Sequence, residues 1–178
     1  KVFIDLGHAP PSNAYLLEPD LTKVEKYYPL KVMVCEKCWL VQTLDTQTPA
    51  DYFNENYAYF SGASSTWRAH VRTFVEDICR AFPLNKDSFV LEIASNDGHL
   101  LTNFVEKKIP CMGIEPTKST AKQSEKLGIP TLNQFFSYGL AKSLKLSGQS
   151  ADLIIANNVF AHVPDIVDFA RGLKEILK

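Results

Sequence analysis

No apolar run in the 178 residues approaches the ~20 needed to cross a bilayer, so no membrane-spanning helix and no membrane partner are expected. Neither sign of charge is in excess. The formal net charge is −1, which argues against nucleic acid or anionic lipid as a partner. Cysteine is scarce: Cys35, Cys38, Cys79 and Cys111 are the whole complement, to be read as thiols or metal ligands and not as a disulfide framework. The opening KVFIDLGHAP is no signal peptide, because its apolar stretch is short and Asp5 interrupts it; a cytoplasmic location is the expectation. The chain lacks an initiating methionine and stops inside a periodic helix, so both ends are expected to be cut from a longer protein. Glycine is missing from one place in particular. In VLEIASNDGHLL, residues 90–101, a buried strand turns into a helix through Ala94, Ser95, Asn96 and Asp97, with Gly98 alone at the end.

What is present divides at about residue 60. Residues 1–60 are rich in proline and tyrosine, with strand-like runs KVMVC and WLVQTL between turn-forming loops, and read as a small β-rich module. From 61 to 178 the periodicity alternates. Trp67, Val71, Phe74, Val75, Ile78 and Phe82 recur at helical spacing until Pro83. Strands are expected in SFVLEIA, PCMGIE, IPTLNQFF and ADLIIANN, with helices at HLLTNFVEKK, 119–127, 138–146 and 165–177. The last helix should bury Ile166, Phe169, Ala170, Leu173 and Ile176. Apolar strands alternating with helices predict an α/β fold, a parallel sheet with helices on both faces and ligand-binding loops at the strands' carboxyl ends.

Four strand ends carry polar residues. The first offers Glu92 and the loop Ser95–Gly98; the second ends in Glu115-Pro116; the third runs from Asn133 to Phe136; the fourth gives Asn157-Asn158, with His162 after it. A carboxylate about twenty residues beyond the first loop is placed to accept hydrogen bonds from ribose hydroxyls, in dinucleotide and S-adenosylmethionine sites alike. The loop separates the two. Pyrophosphate needs glycines so that backbone N–H groups can come close, whereas Ser95 and Asn96 obstruct that approach and Asp97 repels phosphate. S-adenosylmethionine carries a sulfonium and an ammonium, which carboxylates and amides suit. Simpler roles stay open for each residue. Glu92 could pair with a lysine, Asp97 could cap the helix near His99, Phe135 and Phe136 could be core, Asn157-Asn158 a turn, and His162 a cap for the helix near Pro164.

The runs LEIASNDGHLL, GIEPTKSTA, GIPTLNQFF and ADLIIANNVFAHVPD, with YAYFSGASS and VCEKCWLVQ before them, resemble the class I methyltransferases that C-methylate nucleotide-linked deoxysugars. The resemblance follows nearly the whole chain in order. It implies a Rossmann-like methyltransferase core, incomplete at its C-terminus, behind a small zinc-binding module. It further implies S-adenosyl-L-methionine as methyl donor and a nucleotide-linked keto-deoxysugar as small-molecule substrate. By motif, Tyr57, Tyr59, Phe60 and Ser61 belong to a lid over the cofactor, and Ser95, Asn96 and Gly98 hold its methionyl part with Glu92 and Asp97 beside them. Glu115 with Pro116 takes the ribose, Phe135 and Phe136 lie near adenine, Asn157 with Asn158 supports the methionyl end, and His162 faces the sugar. His162 and Tyr57 are the candidates for the acid–base work that removing a proton beside a ketone requires.

The chain departs from that family in three respects. Ala94 stands where glycine is usual, which is expected to be mild because a methyl is small. The family's zinc module has two CxxC pairs; here Cys35 and Cys38 form one, and the partner pair is expected upstream of Lys1. The family's tyrosine and histidine cluster, expected downstream of 178, is absent, so the chain is expected to hold cofactor without turning over by itself. The competing expectations are a methyltransferase for another small acceptor, a non-catalytic binding module, and, set back by the ASND loop, a nicotinamide-dependent oxidoreductase.

Overall fold

The computed structural model describes residues 1–12, 15–44, 48, 53 and 57–178, and divides the chain into two compact units, Lys1–Ala58 and Tyr59–Lys178. The N-terminal unit is a three-stranded antiparallel sheet in the order β1 (Val2–Ala9), β2 (Tyr28–Val34), β3 (Val41–Thr43). β2 and β3 grow from the KVMVC and WLVQTL runs. β1 is not anticipated by pattern, because Asp5 and Gly7 break its alternation. A register shift between Asp5 and His8 accommodates both: Gly7 takes φ +80° and its N–H donates to Asp5 Oδ1 at 3.0 Å.

The C-terminal unit begins with α1 (Ser65–Ala81) and continues β4 (Val90–Ile93), α2 (His99–Glu106), β5 (Cys111–Ile114), α3 (Lys118–Lys126), β6 (Thr131–Leu132), α4 (Tyr138–Leu146), β7 (Leu153–Ile155) and α5 (Ile166–Ile176). Its four strands are parallel, in the order β6-β5-β4-β7. The strands are short and largely apolar on both sides because both faces are covered, with Glu92 on β4 and Thr131 on β6 the polar exceptions. On one face Val90, Cys111 and Ile155 meet Val71 and Val75 of α1 and Leu100, Leu101 and Phe104 of α2. On the other, Leu91, Met112 and Ile114 meet Ala141 and Leu144 of α4 and Ile176 of α5. Ser64 caps α1, accepting from Trp67 N, and Phe82, beyond its end, is extended. No helix among the described residues is long and apolar enough to cross a membrane.

α5 is turned from the face its sequence suggests. Phe169, Gly172 and Ile176 are buried, whereas Ile166 and Ala170 are exposed. Gly172 carries no hydrophobic signal, yet it is where Phe136 seats: a Cβ there would stand 2.8 Å from Phe136 Cε1 and 3.3 Å from the Ser137 carbonyl carbon. Gly172→Leu is therefore expected to destabilise the chain by about 1–3 kcal/mol, since backbone as well as ring must give way. Urea denaturation checks it. A variant as stable as the parent would show the Phe136–α5 contact to be soft.

Candidate active site

β5 and β6 lie to one side of β4 and β7 to the other, so the chain reverses its strand order between β4 and β7. Ligands of parallel α/β sheets bind at the carboxyl ends beside such a reversal. The loop leaving β4 is shaped by left-handed backbone at Ala94 (φ 55°), Asn96 (φ 51°) and Gly98 (φ 80°). This explains the glycine usual at position 94. Alanine is tolerated there, and its cost is the ~1 kcal/mol of backbone strain, not crowding, for Ala94 is exposed. Gly98 is fixed on two counts, its positive φ and the 2.4 Å that would separate a Cβ from Ser124 Oγ. Ser95 folds back over the neighbouring strand: its N–H donates to Ile114 O at 3.2 Å, and its hydroxyl fills the space a Cβ on Gly113 would take. Ser95 Oγ is buried without a hydrogen-bond partner.

Three buried carboxyls converge at this loop. Glu92 shares its face of the sheet with Gly113 and Ile155, its register partners on either side. The apolar surroundings push its acid well above the ordinary glutamate range, and Glu115 and Asp97 raise it further. Its Oε2 has no hydrogen-bond partner among the described residues. Glu115, 3% exposed, brackets the two loops: Oε2 accepts from Asn96 N at 2.8 Å and Oε1 from Thr117 N at 2.8 Å. Asp97 does not cap α2, whose N-cap is Gly98 without a side-chain bond. It accepts instead from Ser61 Oγ at 2.6 Å and from Gly62 N at 2.9 Å. Among the described residues no salt bridge involves any of the three. The lysine partner considered for Glu92 is therefore not seen, and three acids meet without a base.

The other candidates are distributed as follows. Asn96 reaches across to residues 59–61, accepting from Ser61 N at 2.9 Å and donating to Tyr59 O at 3.0 Å. Phe60 is half-buried and precedes the 3₁₀ turn Ser61–Ala63, while the Tyr59 side chain is exposed. Pro116 is half-buried beside Glu115. Phe135 is exposed, but Phe136 is spent in the layer against α5, edge-on to Phe169 with centroids 5.2 Å apart. Asn157 and Asn158 follow β7 exposed, Asn158 at φ 55°. His162 ends an exposed 3₁₀ turn, Phe160–His162, and Asp165, not His162, caps α5. Tyr57 belongs to the N-terminal unit, where its ring lies 5.4 Å from that of Phe53.

Two further positions complete the frame: Asn133, which opens the third strand end, and Gly62, which pattern does not mark. The Asn133 amide donates to both Glu115 O (2.8 Å) and Pro116 O (2.9 Å), fixing the second strand end. Gly62 has no room for a side chain, since a Cβ would fall 1.7 Å from His99 Cδ2. Gly62 announces nothing in sequence because Asp97 and His99, which close on it, are 35 or more residues away.

Comparison with known proteins fits this geometry. Residues 91–178 match a family described as "Methyltransferase domain", and residues 1–53 match one described as "Putative zinc binding domain". Together these matches support a class I S-adenosylmethionine-dependent methyltransferase. Over 174 residues, 98% of the chain, it is 26% identical to the C-methyltransferase NovU of Streptomyces niveus, and it spans 41% of that protein's length. The methyltransferase fold recurs in the YcgJ protein of Bacillus subtilis, with TM-score 0.50 and 19% identity, covering 62% of this chain and 47% of that one. It recurs also in the plantazolicin methyltransferase BpumL, with TM-score 0.50 and 15% identity, covering 65% of this chain and 44% of that one.

The N-terminal unit presents Cys35 and Cys38 at the tip between β2 and β3. Cys35 N donates to Leu40 O and Trp39 N to Cys35 O, each at 2.9 Å, with Trp39 left-handed at φ 61°. Both thiols are exposed, and the backbone N–H groups of Cys38 and Lys37 hold Cys35 below the ordinary thiol value. That favours the thiolate, the form zinc binds, but two donors are half a tetrahedral shell. Among the described residues no cluster of three or more His, Cys, Asp or Glu could hold a metal. Cys111 is no substitute: it is buried in the core, its thiol pushed up to about 11.

Proposed function

We propose that the Tyr59–Lys178 unit binds S-adenosyl-L-methionine at the carboxyl ends of β4, β5 and β7, for C-methylation of a nucleotide-linked keto-deoxysugar. One observation carries the cofactor assignment: Glu92, Asp97 and Glu115 gather there, and among the described residues no cationic side chain is paired to them. Such a site repels pyrophosphate and lacks a cation. The unpartnered Glu92 Oε2 and Ser95 Oγ are acceptors that an ammonium can satisfy. Bound there, the cofactor supplies an electrophilic methyl group on a sulfonium.

The chain's own residues then divide the work. Glu92, Ser95 and Gly98 surround the charged end of the ligand, with Asn157 and Asn158 across the switch point. Glu115 has lone pairs left beyond its two backbone bonds to accept from ribose. Phe135, exposed beside this strand end, is the aromatic side chain assigned to adenine, a role that Phe136 leaves to it. His162, on its exposed turn after β7, is the residue we assign to hold the proton taken from carbon beside a ketone. Likeness to NovU supports the sugar acceptor; a different small acceptor is the second reading. Cys35 and Cys38 would give zinc two of its thiolates, a structural role outside the reaction.

Calorimetric titration with S-adenosylhomocysteine and, separately, NAD tests the cofactor assignment. Heat of binding is expected for the first and none for the second. The reverse pattern would make the chain a nucleotide-binding oxidoreductase relative.

A further inference from the structure

The loop after β4 spends two of its polar side chains on a neighbouring chain segment. The Asn96 carboxamide engages Tyr59 O and Ser61 N, as a strand partner would. The Asp97 carboxylate takes the Ser61 hydroxyl on Oδ1 and the Gly62 N–H on both oxygens, at 3.2 and 2.9 Å. Gly62 is tied again from behind: Arg68 Nη1 donates to its carbonyl, and the His99 ring closes over its Cα. Ser61 and Gly62 are buried as a result, while the Tyr59 side chain beside them stays in solvent.

We propose that Asn96 and Asp97 are positioning residues, which clamp the Tyr59–Gly62 segment onto the loop and thereby set one wall of the pocket. This rests on the reading of that pocket as an S-adenosylmethionine site. Charge alone would assign Asp97 to the ligand's ammonium, but its three hydrogen bonds already go to the segment. Of the four buried polar side-chain atoms without a partner among the described residues, Glu92 Oε2 and Ser95 Oγ belong to β4 and the loop after it, and these are the ones left for ligand. Asn96 sits at φ 51°, a left-handed conformation that asparagine adopts more readily than most residues, and the same position in the turn lets its amide bridge both sides of the segment. The side chains that replace glycines in this loop thus exclude pyrophosphate and build the wall in one stroke.

The test is a double-mutant cycle on the whole chain with S-adenosylhomocysteine as probe, using Ser61→Ala, Asp97→Ala and the pair. If Asp97 acts through the segment, Asp97→Ala weakens binding by about 10- to 100-fold, mainly by faster dissociation, and adding Ser61→Ala changes it less than about twofold further. Asp97→Asn, which keeps one acceptor oxygen, recovers part of the loss. Without ligand, amide exchange at Ser61 and Gly62 rises in both single variants while the β4 amides Leu91 and Ile93 keep their protection. Effects of Ser61→Ala and Asp97→Ala that multiply, or an affinity loss with Ser61 and Gly62 exchange unchanged, would put Asp97 on the ligand and overturn the clamp. Ser61→Ala removes a single hydroxyl and keeps the cycle informative if Asp97→Ala folds poorly. A parent chain that ignores S-adenosylhomocysteine refutes the pocket assignment, and the clamp then stands or falls on ligand-free exchange.

Discussion

Replacing Glu115 with alanine is expected to weaken S-adenosylhomocysteine binding by roughly two orders of magnitude or more and to destabilise the free chain by about 3–6 kcal/mol. Both effects come from one carboxylate with two tasks. Its oxygens accept the N–H groups of Asn96 and Thr117, which belong to different loops, so it ties the end of β5 to the turn that follows β4. Removing it strands two donors in a site where Glu115 itself is 3% exposed. Each charge-assisted bond lost there is worth about 1.5–3 kcal/mol. On the proposed reading, the ribose hydroxyls would lose their acceptor in the same stroke. Glu115→Gln separates the tasks: one oxygen still accepts, while the amide NH₂ turns a donor toward a donor. Its stability should fall between parent and alanine variant, with binding still impaired. Calorimetry of ligand binding and thermal unfolding of the three proteins supply the measurements. Native affinity in Glu115→Ala would remove ribose from this carboxylate, whatever the stability shows.

Glu115 also illustrates how far residues speak for themselves. Its place at the end of the second strand, on the crevice side, follows from apolar strands at αβ spacing, and the spacing from the first loop marks it as a ribose acceptor. Its backbone partners do not follow, because hydrogen bonds between loops nineteen residues apart depend on the turn adopted at Ala94 and Asn96. The same limit explains Asp97. A carboxylate one residue before a helix reads as a cap, yet Gly98 takes the cap position and frees Asp97 for Ser61 and Gly62. The helices of the C-terminal unit are legible because periodicity is a local property; α4 occupies residues 138–146, the span expected for it. The face of α5 is not, since Gly172 buries without being apolar, and only Phe136 from another element makes it a contact. β1 fails for the opposite reason: Asp5 and Gly7 interrupt a strand that a bulge can carry through.

Glu92→Gln is expected to do the reverse of most active-site substitutions, raising stability at neutral pH while lowering affinity for the cationic ligand. The acid lies at the top of the apolar layer formed with Ile155 and the α1 and α2 side chains, and burial raises its pKa above the ordinary value, aided by the charges of Glu115 and Asp97. The linkage sign follows from proton counts. Below the unfolded value, about 4.3, both states hold the proton and Glu92 costs little. Above it the unfolded chain releases the proton and the folded chain keeps it, so stability falls as pH rises, by up to about 1.4 kcal/mol per unit. The fall ends once pH passes the folded value and both states ionise. Glutamine has the same shape and never ionises, so its curve lacks this decline. Denaturant unfolding of parent and variant across pH 4–8 should give stabilities that are similar at the acid end and diverge progressively above it, with the variant the more stable. The parent site is held ready for a charge that only the ligand brings: an ammonium beside Oε2 would let Glu92 ionise and pair, an interaction glutamine cannot match. Parallel pH curves for the two proteins would mean that a neighbouring cation already compensates Glu92, and an unchanged affinity would remove it from the ligand's charged end.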